Sequence, residues 1–357
     1  MGHDTRTLMV TGGAGFIGAN FVHYWMSAHP ADTVIVYDAL TYAGNRASLS
    51  SLEGARLFRF LHGDICDREQ VTACLRDHAV DTIVHFAAES HVDRSISGPD
   101  DFIRTNILGT HTLLEAARSV WLSGDGMPHR FHHVSTDEVY GSLEAGDPAF
   151  HENHRYAPNS PYSASKAASD HLVRASYHTH GLQVTTSNCS NNYGPYHFPE
   201  KLIPLCLTNI LRGRPLPIYG DGSNIRDWLY VEDHCRGIEK VLDRGRVGEV
   251  YNIGGNNEWS NLDIVHLLCD ALDARFRTDD GLAQRFPDAP AARGGNAREL
   301  VTFVTDRAGH DWRYAIDAGR AARELEYSPR ETFETGIART IDWYLDNPAW
   351  WQPLLLA

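Results

Sequence analysis

Two short runs carry the residue types for proton and hydride chemistry: His133-Val134-Ser135-Thr136-Asp137-Glu138 and, further on, Tyr162-Ser163-Ala164-Ser165-Lys166. A phenol with an ordinary pKa of about 10 is a poor base at neutral pH. Lys166 stands one helical turn beyond Tyr162 on the same face and supplies a cation that favours the phenolate. Ser135 or Thr136 then hydrogen-bonds a substrate hydroxyl being oxidised. Oxidation alone needs no more than this, so the adjacent carboxyls of Asp137 and Glu138 point to proton traffic at further carbons. Two carboxyls in one partly desolvated site do not ionise independently, and one is driven toward the protonated acid. An acid and a base together beside an oxidising phenolate predict a redox site that also eliminates a group.

These groups need rigid elements behind them. Apolar strand-like runs at residues 7–11, 33–37, 57–62, 82–86, 130–135 and 183–188 alternate with segments of helical period at 17–27, 105–118 and 163–179. That alternation predicts an α/β fold, a Rossmann-type doubly wound parallel sheet covered by helices. Pro161 marks the start of the helix that carries Tyr162 and Lys166. After Asn188 the texture changes: Gly, Pro and Asn cluster at 191–196, and residues 216–228 resemble an extended hairpin around Asp221-Gly222. We expect residues 1–190 to form a dinucleotide-binding domain, with 228–256 returning to it. Residues 191–227 and 257–357 then make a smaller α/β substrate domain, including a lid-like stretch at 286–296.

The turn Thr11-Gly12-Gly13-Ala14-Gly15-Phe16-Ile17-Gly18 joins the first strand to the first helix. Glycines there permit a tight turn and let backbone N–H groups at a helix N-terminus approach a pyrophosphate. Asp38 ends the second strand twenty residues after Gly18, where a carboxylate accepts both ribose hydroxyls and repels a 2′-phosphate. NAD is therefore expected rather than NADP. Asp64-Ile65 at the next strand end suits an adenine edge, and Phe86-Ala87-Ala88 leaves room for the cofactor backbone.

The formal charge of −14 and pI near 5.7, without a Lys/Arg cluster, argue against a nucleic-acid or anionic-membrane surface. Six cysteines, Cys66, Cys74, Cys189, Cys206, Cys235 and Cys269, lack paired spacing and read as reduced thiols. No signal peptide or membrane span is expected, and the cytoplasm is the expected compartment.

On these motifs the chain resembles the extended short-chain dehydrogenases/reductases, and among them the dTDP-glucose 4,6-dehydratase family. The resemblance also covers Ala87-Ala88-Glu89-Ser90-His91-Val92-Asp93-Arg94-Ser95-Ile96, Ser190-Asn191-Asn192-Tyr193-Gly194-Pro195-Tyr196, the run from Phe198 to Pro204 and the run from Asp306 to Asp311. It implies that Tyr162 takes the proton of a sugar C4 hydroxyl while Thr136 shares its hydrogen bond and hydride passes to NAD. Glu138 then removes the C5 proton, Asp137 protonates the departing C6 hydroxyl, and hydride returns to C6. Such a cycle regenerates NAD and needs no second redox substrate. The resemblance implies cofactor contacts from Gly12, Gly15, Phe16, Ile17 and Gly18, then Asp38, Ala39, Leu40 and Thr41, then Asp64 and Ile65. Phe86, Ala87, Ala88, Ser90, Thr105, Tyr162, Lys166 and Asn192 complete that set.

For the nucleotide sugar, dTDP-glucose, it implies Ser90, Thr136, Asn191, Lys201, Leu202, Pro217, Ile218 and Tyr219, with Arg226, Asn261, Arg307 and His310 on the diphosphate and base. The family usually has Pro at the position of Ala308 and Arg at that of Trp312. The stretch 289–299, with Arg293 and Arg298, matches poorly. A homodimer through a four-helix interface, built from the apolar stripes of 105–118 and 163–179, is also implied; no metal is. A 4-epimerase or decarboxylase of the same fold would use Tyr162 and Lys166 without needing the acid pair. A catalytically silent NAD-binding regulator would have lost one of these groups, and none is lost.

Overall fold

Leu8 and Val10 face one side of their strand and Met9 the other, and all three are fully buried, the pattern of a sheet covered on both faces. The computed structural model describes residues 5–355. The chain runs through β1 (Thr7–Thr11), α1 (Phe16–Ala28), β2 (Thr33–Asp38), β3 (Phe58–His62), α2 (Arg68–Asp77) and β4 (Thr82–His85). Next come α3 (Val92–Ser97), α4 (Asp100–Phe102), α5 (Thr110–Trp121), β5 (Arg130–Thr136), α6 (Pro161–His180) and β6 (Val184–Cys189). The second half holds β7 (Asn191–Tyr193), α7 (Leu202–Leu211), β8 (Leu216–Tyr219), β9 (Ile225–Tyr230), α8 (Val231–Arg244) and β10 (Val250–Ile253). It ends in β11 (Glu258–Ser260), α9 (Asn261–Thr278), α10 (Asp280–Arg285), β12 (Val301–Val304), α11 (Gly319–Leu325) and α12 (Phe333–Asp346).

The main sheet has seven parallel strands in the order β10-β6-β5-β4-β1-β2-β3. Helices α2, α5 and α6 cover one face through Val71, Leu113, Trp121 and Val173. Helices α1 and α8 cover the other through Phe21, Trp25, Ile238 and Leu242. The strand order reverses beside β1, the place where open α/β sheets bind ligands at their C-terminal edge.

Helix α6 is held firmly at both ends. Ser160 forms a reciprocal capping box with Ser163, Pro161 opens the first turn, and Gly181 closes the helix at φ 75°. Tyr162 and Lys166 therefore sit in the first turns of a well-anchored element. The helix expected at 105–118 instead begins as a π-helical turn, Ile103–Gly109, before α5. Such wide turns gather at functional sites, and this one directs Asn106 inward, where its amide donates to Ser165 Oγ at 2.8 Å and to the Glu89 carbonyl at 3.0 Å.

A second core lies beyond β6, where α7, α9 and α12 pack Leu207, Leu268 and Ile341 around Ile218, Trp228 and Tyr230. The expected hairpin at 216–228 does not form. Strand β8 pairs in parallel with the distant β12, whereas β9 pairs with β11 and β7 in a three-stranded sheet. Gly220 and Gly222, at φ 58° and 77°, carry the chain from one small sheet to the other. Of the segment expected to return, α8 packs on the main sheet and β10 pairs with β6, while β9 stays in the small sheet.

Candidate active site

The C-terminal ends of the central strands open onto a cavity of about 510 Å³ whose far wall comes from the second core. Thr136, Asp137, Glu138, Tyr162 and Lys166 all line it. Strand β5 delivers the first three. Thr136 caps the short helical turn Asp137–Tyr140, accepting from Glu138 N–H at 3.3 Å, and that turn throws both carboxyls toward the cavity. Helix α6 delivers the other two. Lys166 Nζ donates to the Val134 carbonyl at 2.8 Å, which ties α6 to β5 just below the acid pair.

The two carboxyls differ in their surroundings. Burial drives Asp137 well above the ordinary carboxylate range, and Glu138 and Asp227 add to the shift against a smaller pull from Arg226. Asp137 Oδ2 is buried and has no protein partner, as a proton-bearing oxygen aimed into a ligand cavity would be. Burial raises Glu138 too, but Arg226, Arg307 and Lys201 each pull it back. Asp137 is therefore the group that holds a proton, and Glu138 the one whose anion is supported. Tyr162 departs from the expectation that Lys166 makes it a phenolate. Burial and then the Glu138 charge hold the phenol protonated, opposed by the Thr136 hydroxyl, while the Lys166 ammonium is engaged with a backbone carbonyl.

The other end fits a dinucleotide. Gly12 stands at φ 69°, and a Cβ there would lie 2.6 Å from Ala87 N, so only glycine keeps the turn close to β4. A Cβ at Gly18 would meet the Gly12 carbonyl at 2.2 Å. Asp38 Oδ2 accepts from Ala14 N–H and Oδ1 from Leu40 N–H, both at 2.8 Å, which points the carboxylate at the turn where a ribose would lie. Phe16, Ile17, Ala39, Thr41, Asp64, Ile65, Phe86, Ala88 and Thr105 share the same wall. Leu40 does not line the cavity; it sits at φ 50° and contributes through its N–H to Asp38.

The residues expected around a sugar nucleotide also face the cavity, several already committed to protein partners. Ser90, Asn191, Leu202, Pro217, Ile218 and Asn261 line it directly. Asn192 Oδ1 accepts from His234 Nδ1 at 3.0 Å, and its amide N–H donates to the Ser190 carbonyl. Lys201 Nζ donates to the Ser90 carbonyl at 2.9 Å. Arg226 stacks on Tyr314 at 4.2 Å and donates to the carbonyls of Ile225, Asp311 and Trp312. Arg307 pairs with Asp93 at 3.4 Å and keeps a buried Nε without a partner. Tyr219 donates to the same Asp93, and His310 pairs with Asp306. Arg293 and Arg298 pair with Asp288 and Asp270 outside the cavity.

Sequence reasoning missed Asp93, Asp227, Glu200 and Tyr314, all in or against this wall. They come from segments far apart in the chain; Asp93 and Glu200 lie within runs that carry the resemblance, but no local spacing gives any of the four a role.

A doubly wound parallel sheet with Tyr162 and Lys166 on the helix beside a strand-end Thr136 defines a short-chain dehydrogenase/reductase. The family model described as GDP-mannose 4,6 dehydratase matches residues 9–340. A dTDP-glucose 4,6-dehydratase of Xanthomonas campestris pv. campestris (strain B100) is 54% identical over 98% of this chain and 96% of the relative. One of Salmonella typhimurium is 52% identical over 96% of this chain and 94% of the relative. The crystal structure of DesIV, a dTDP-glucose 4,6-dehydratase from Streptomyces venezuelae with NAD and TYD bound, superposes with a TM-score of 0.86 at 48% identity, covering 98% of this chain and 99% of that one. The chain belongs to this sugar-nucleotide 4,6-dehydratase family, in its dTDP-glucose 4,6-dehydratase branch.

Gly12→Val forces a side chain into the Ala87 backbone at a φ that branched residues avoid. The variant should retain little or no dinucleotide after gel filtration, read from the nucleotide absorbance of acid-extracted protein.

Proposed function

We propose that this chain is an NAD-dependent dTDP-glucose 4,6-dehydratase, converting its substrate to dTDP-4-keto-6-deoxyglucose with loss of water. The observation that carries the reading is the unequal pair of carboxyls at the end of β5: Asp137 isolated among anions and Glu138 among cations, both facing Tyr162. An epimerisation at C4 would leave that pair idle.

Tyr162 must first lose the proton that burial keeps on it; as the phenolate it then accepts the proton of the sugar C4 hydroxyl, with Thr136 sharing the hydrogen bond and Lys166 behind the ring. The Gly12 to Gly18 turn, Asp38 and the Phe86 to Ala88 wall would hold NAD, which when bound would supply the acceptor for the C4 hydride and its donor to C6. Once C4 is a ketone its α proton at C5 is acidic, and Glu138 removes it. Asp137 gives its proton to the C6 hydroxyl, which leaves as water. The proton on Glu138 exchanges with solvent before Glu138 protonates C5, and through solvent Tyr162 releases the proton it took from C4 while Asp137 regains the one that left with water, so all three groups return to their starting states. Arg226, Arg307, Lys201 and His310 provide charge-assisted donors for the diphosphate and base end, with Ser90, Asn191, Asn261 and the 217–219 strand shaping the pocket. The main sheet with its helices, including α8 and β10, thus serves the cofactor, and the second core with its small sheets the nucleotide sugar.

We also place two copies together through the π-turn and α5–α6 surface. Ile103 and Leu108 there are 48% and 54% exposed, two large apolar side chains that a second copy would cover. Among the described residues no helix is long and apolar enough to cross a membrane, and a cytoplasmic site suits a chain of free cysteines.

Incubation with dTDP-glucose in D₂O should give a product lighter by one water and carrying deuterium at C5; an isomer of unchanged elemental composition would sink the reading in favour of epimerisation. Glu138→Gln should lower kcat by about two orders of magnitude or more while bound NAD still becomes reduced on mixing with substrate, and normal turnover removes Glu138 from its role. A carboxylate base works above its pKa and fails below it. Arg307→Gln removes one cation that lowers Glu138, so the acid limb of kcat at saturating substrate should move to higher pH. Leu108→Arg should convert a dimer to a monomer in sedimentation velocity, and a wild-type monomer would refute the assembly.

A further inference from the structure

Val134, whose carbonyl accepts from Lys166, has His133 and Ser135 as its chain neighbours, and both of their side chains turn toward α6 and end on Asp170. His133 Nε2 lies 3.0 Å from Asp170 Oδ1, and Ser135 Oγ donates to Oδ2 at 2.9 Å. Tyr156 Oη donates to the same Oδ2 at 2.9 Å. Burial, reinforced by the Lys166 charge, keeps the His133 ring neutral, and the Nε2–H tautomer is the one that donates to a carboxylate. Asp170 is 6% exposed and lies one turn beyond Lys166 on α6. None of the chemistry above uses it. A carboxylate this deep is costly unless donors and a cation compensate it; here three donors converge on it, and the Lys166 ammonium, one helical turn away and bonded to the Val134 carbonyl, is its nearby positive charge.

We infer that Asp170 is a positioning residue for the dehydration. It is the buried counter-charge of Lys166, and it staples the end of β5 to α6 so that the acid pair and Tyr162 keep one geometry. The inference rests on the dehydratase reading for its effect on turnover, but not for its effect on Lys166.

The groups facing Lys166 from each neighbouring element leave Asp170 as its anion. His85 of β4 and His133 of β5 are both neutral through burial and their proximity to charge. Burial pushes the Cys189 thiol of β6 up to about 12, so it is uncharged at neutral pH. Tyr162 on the same helix is held as a phenol. Burial lowers Lys166, and Asp170 is the leading influence that raises it again. Around Asp170 itself stand Lys166, His171, His133, Tyr156 and Tyr140; burial pushes its carboxyl up to about 6, against Lys166, Ser135, Tyr156 and His171.

The sequence makes the test direct, because Lys166, Lys201 and Lys240 are its only lysines. Holoenzyme labelled with [¹³Cε]lysine should give three resonances, with Lys166 assigned by its loss in Lys166→Arg. Asp170→Asn keeps the shape and removes the charge. It should lower the Lys166 titration midpoint by about one unit or more, because the cation loses its counter-charge. It should also cut kcat about tenfold or more with KM for dTDP-glucose within about twofold, and move the alkaline limb of kcat to lower pH. A merely structural role would leave the Lys166 midpoint in place, and that result overturns the inference. Should Asp170→Asn fail to fold, Tyr156→Phe decides. It removes one donor and keeps the charge, so the low-pH inflection that Asp170 imposes on the Lys166 resonance should move to higher pH, and an unmoved inflection overturns the inference. A wild type that shows the inflection yet forms no dehydrated product refutes the functional reading alone.

Discussion

The Lys166 ammonium donating to the Val134 carbonyl is the contact on which the active end depends. It joins the one strand that carries Thr136, Asp137 and Glu138 to the one helix that carries Tyr162. Both partners are buried, and a charged donor makes this hydrogen bond stronger than an ordinary one from a peptide N–H to a carbonyl. It also changes what the lysine does. The ammonium is directed at the strand, and burial with the Glu138 charge holds Tyr162 as a phenol.

The acid pair shows how one sheet edge yields two different carboxyls. Asp137 and Glu138 are adjacent in sequence and both are pushed up by burial. Their difference comes from across the cavity. Arg226, Arg307 and Lys201 belong to the second core and its approaches, and they support the Glu138 anion; Asp227, which accepts from the backbone N–H groups of Gly255 and Asn257, opposes ionisation of Asp137. The site is therefore complete only when the two cores close on one another.

That closure also explains why so many expected ligand contacts are already hydrogen-bonded. Arg226 is fixed by three backbone carbonyls and a Tyr314 face, so its position is set before any ligand arrives and little ordering cost remains on binding. Arg307 and Tyr219 instead share Asp93, a carboxylate on α3 that occupies their donors at the cavity mouth. Preorganised and exchangeable donors thus sit side by side around the same pocket.

The parallel sheet, the glycine turn, Asp38 and the pairing of Tyr162 with Lys166 were legible in the amino-acid sequence, because each follows from local period, turn chemistry or a spacing of one helical turn. The strands of the first half fall within a residue or so of their expected bounds for that reason. The expected hairpin at 216–228 failed because β8 and β9 find their partners in β12, β7 and β11, and non-local pairing leaves no local trace. The π-turn that aims Asn106 at Ser165 looked like an ordinary helix, since a single widened turn barely alters the apolar period. By itself the sequence determined which chemical groups exist and which strand and helix carry them. Only the tertiary structure decided which carboxyl keeps its proton and which anion balances Lys166, because those choices depend on burial and on charges brought together from distant parts of the chain.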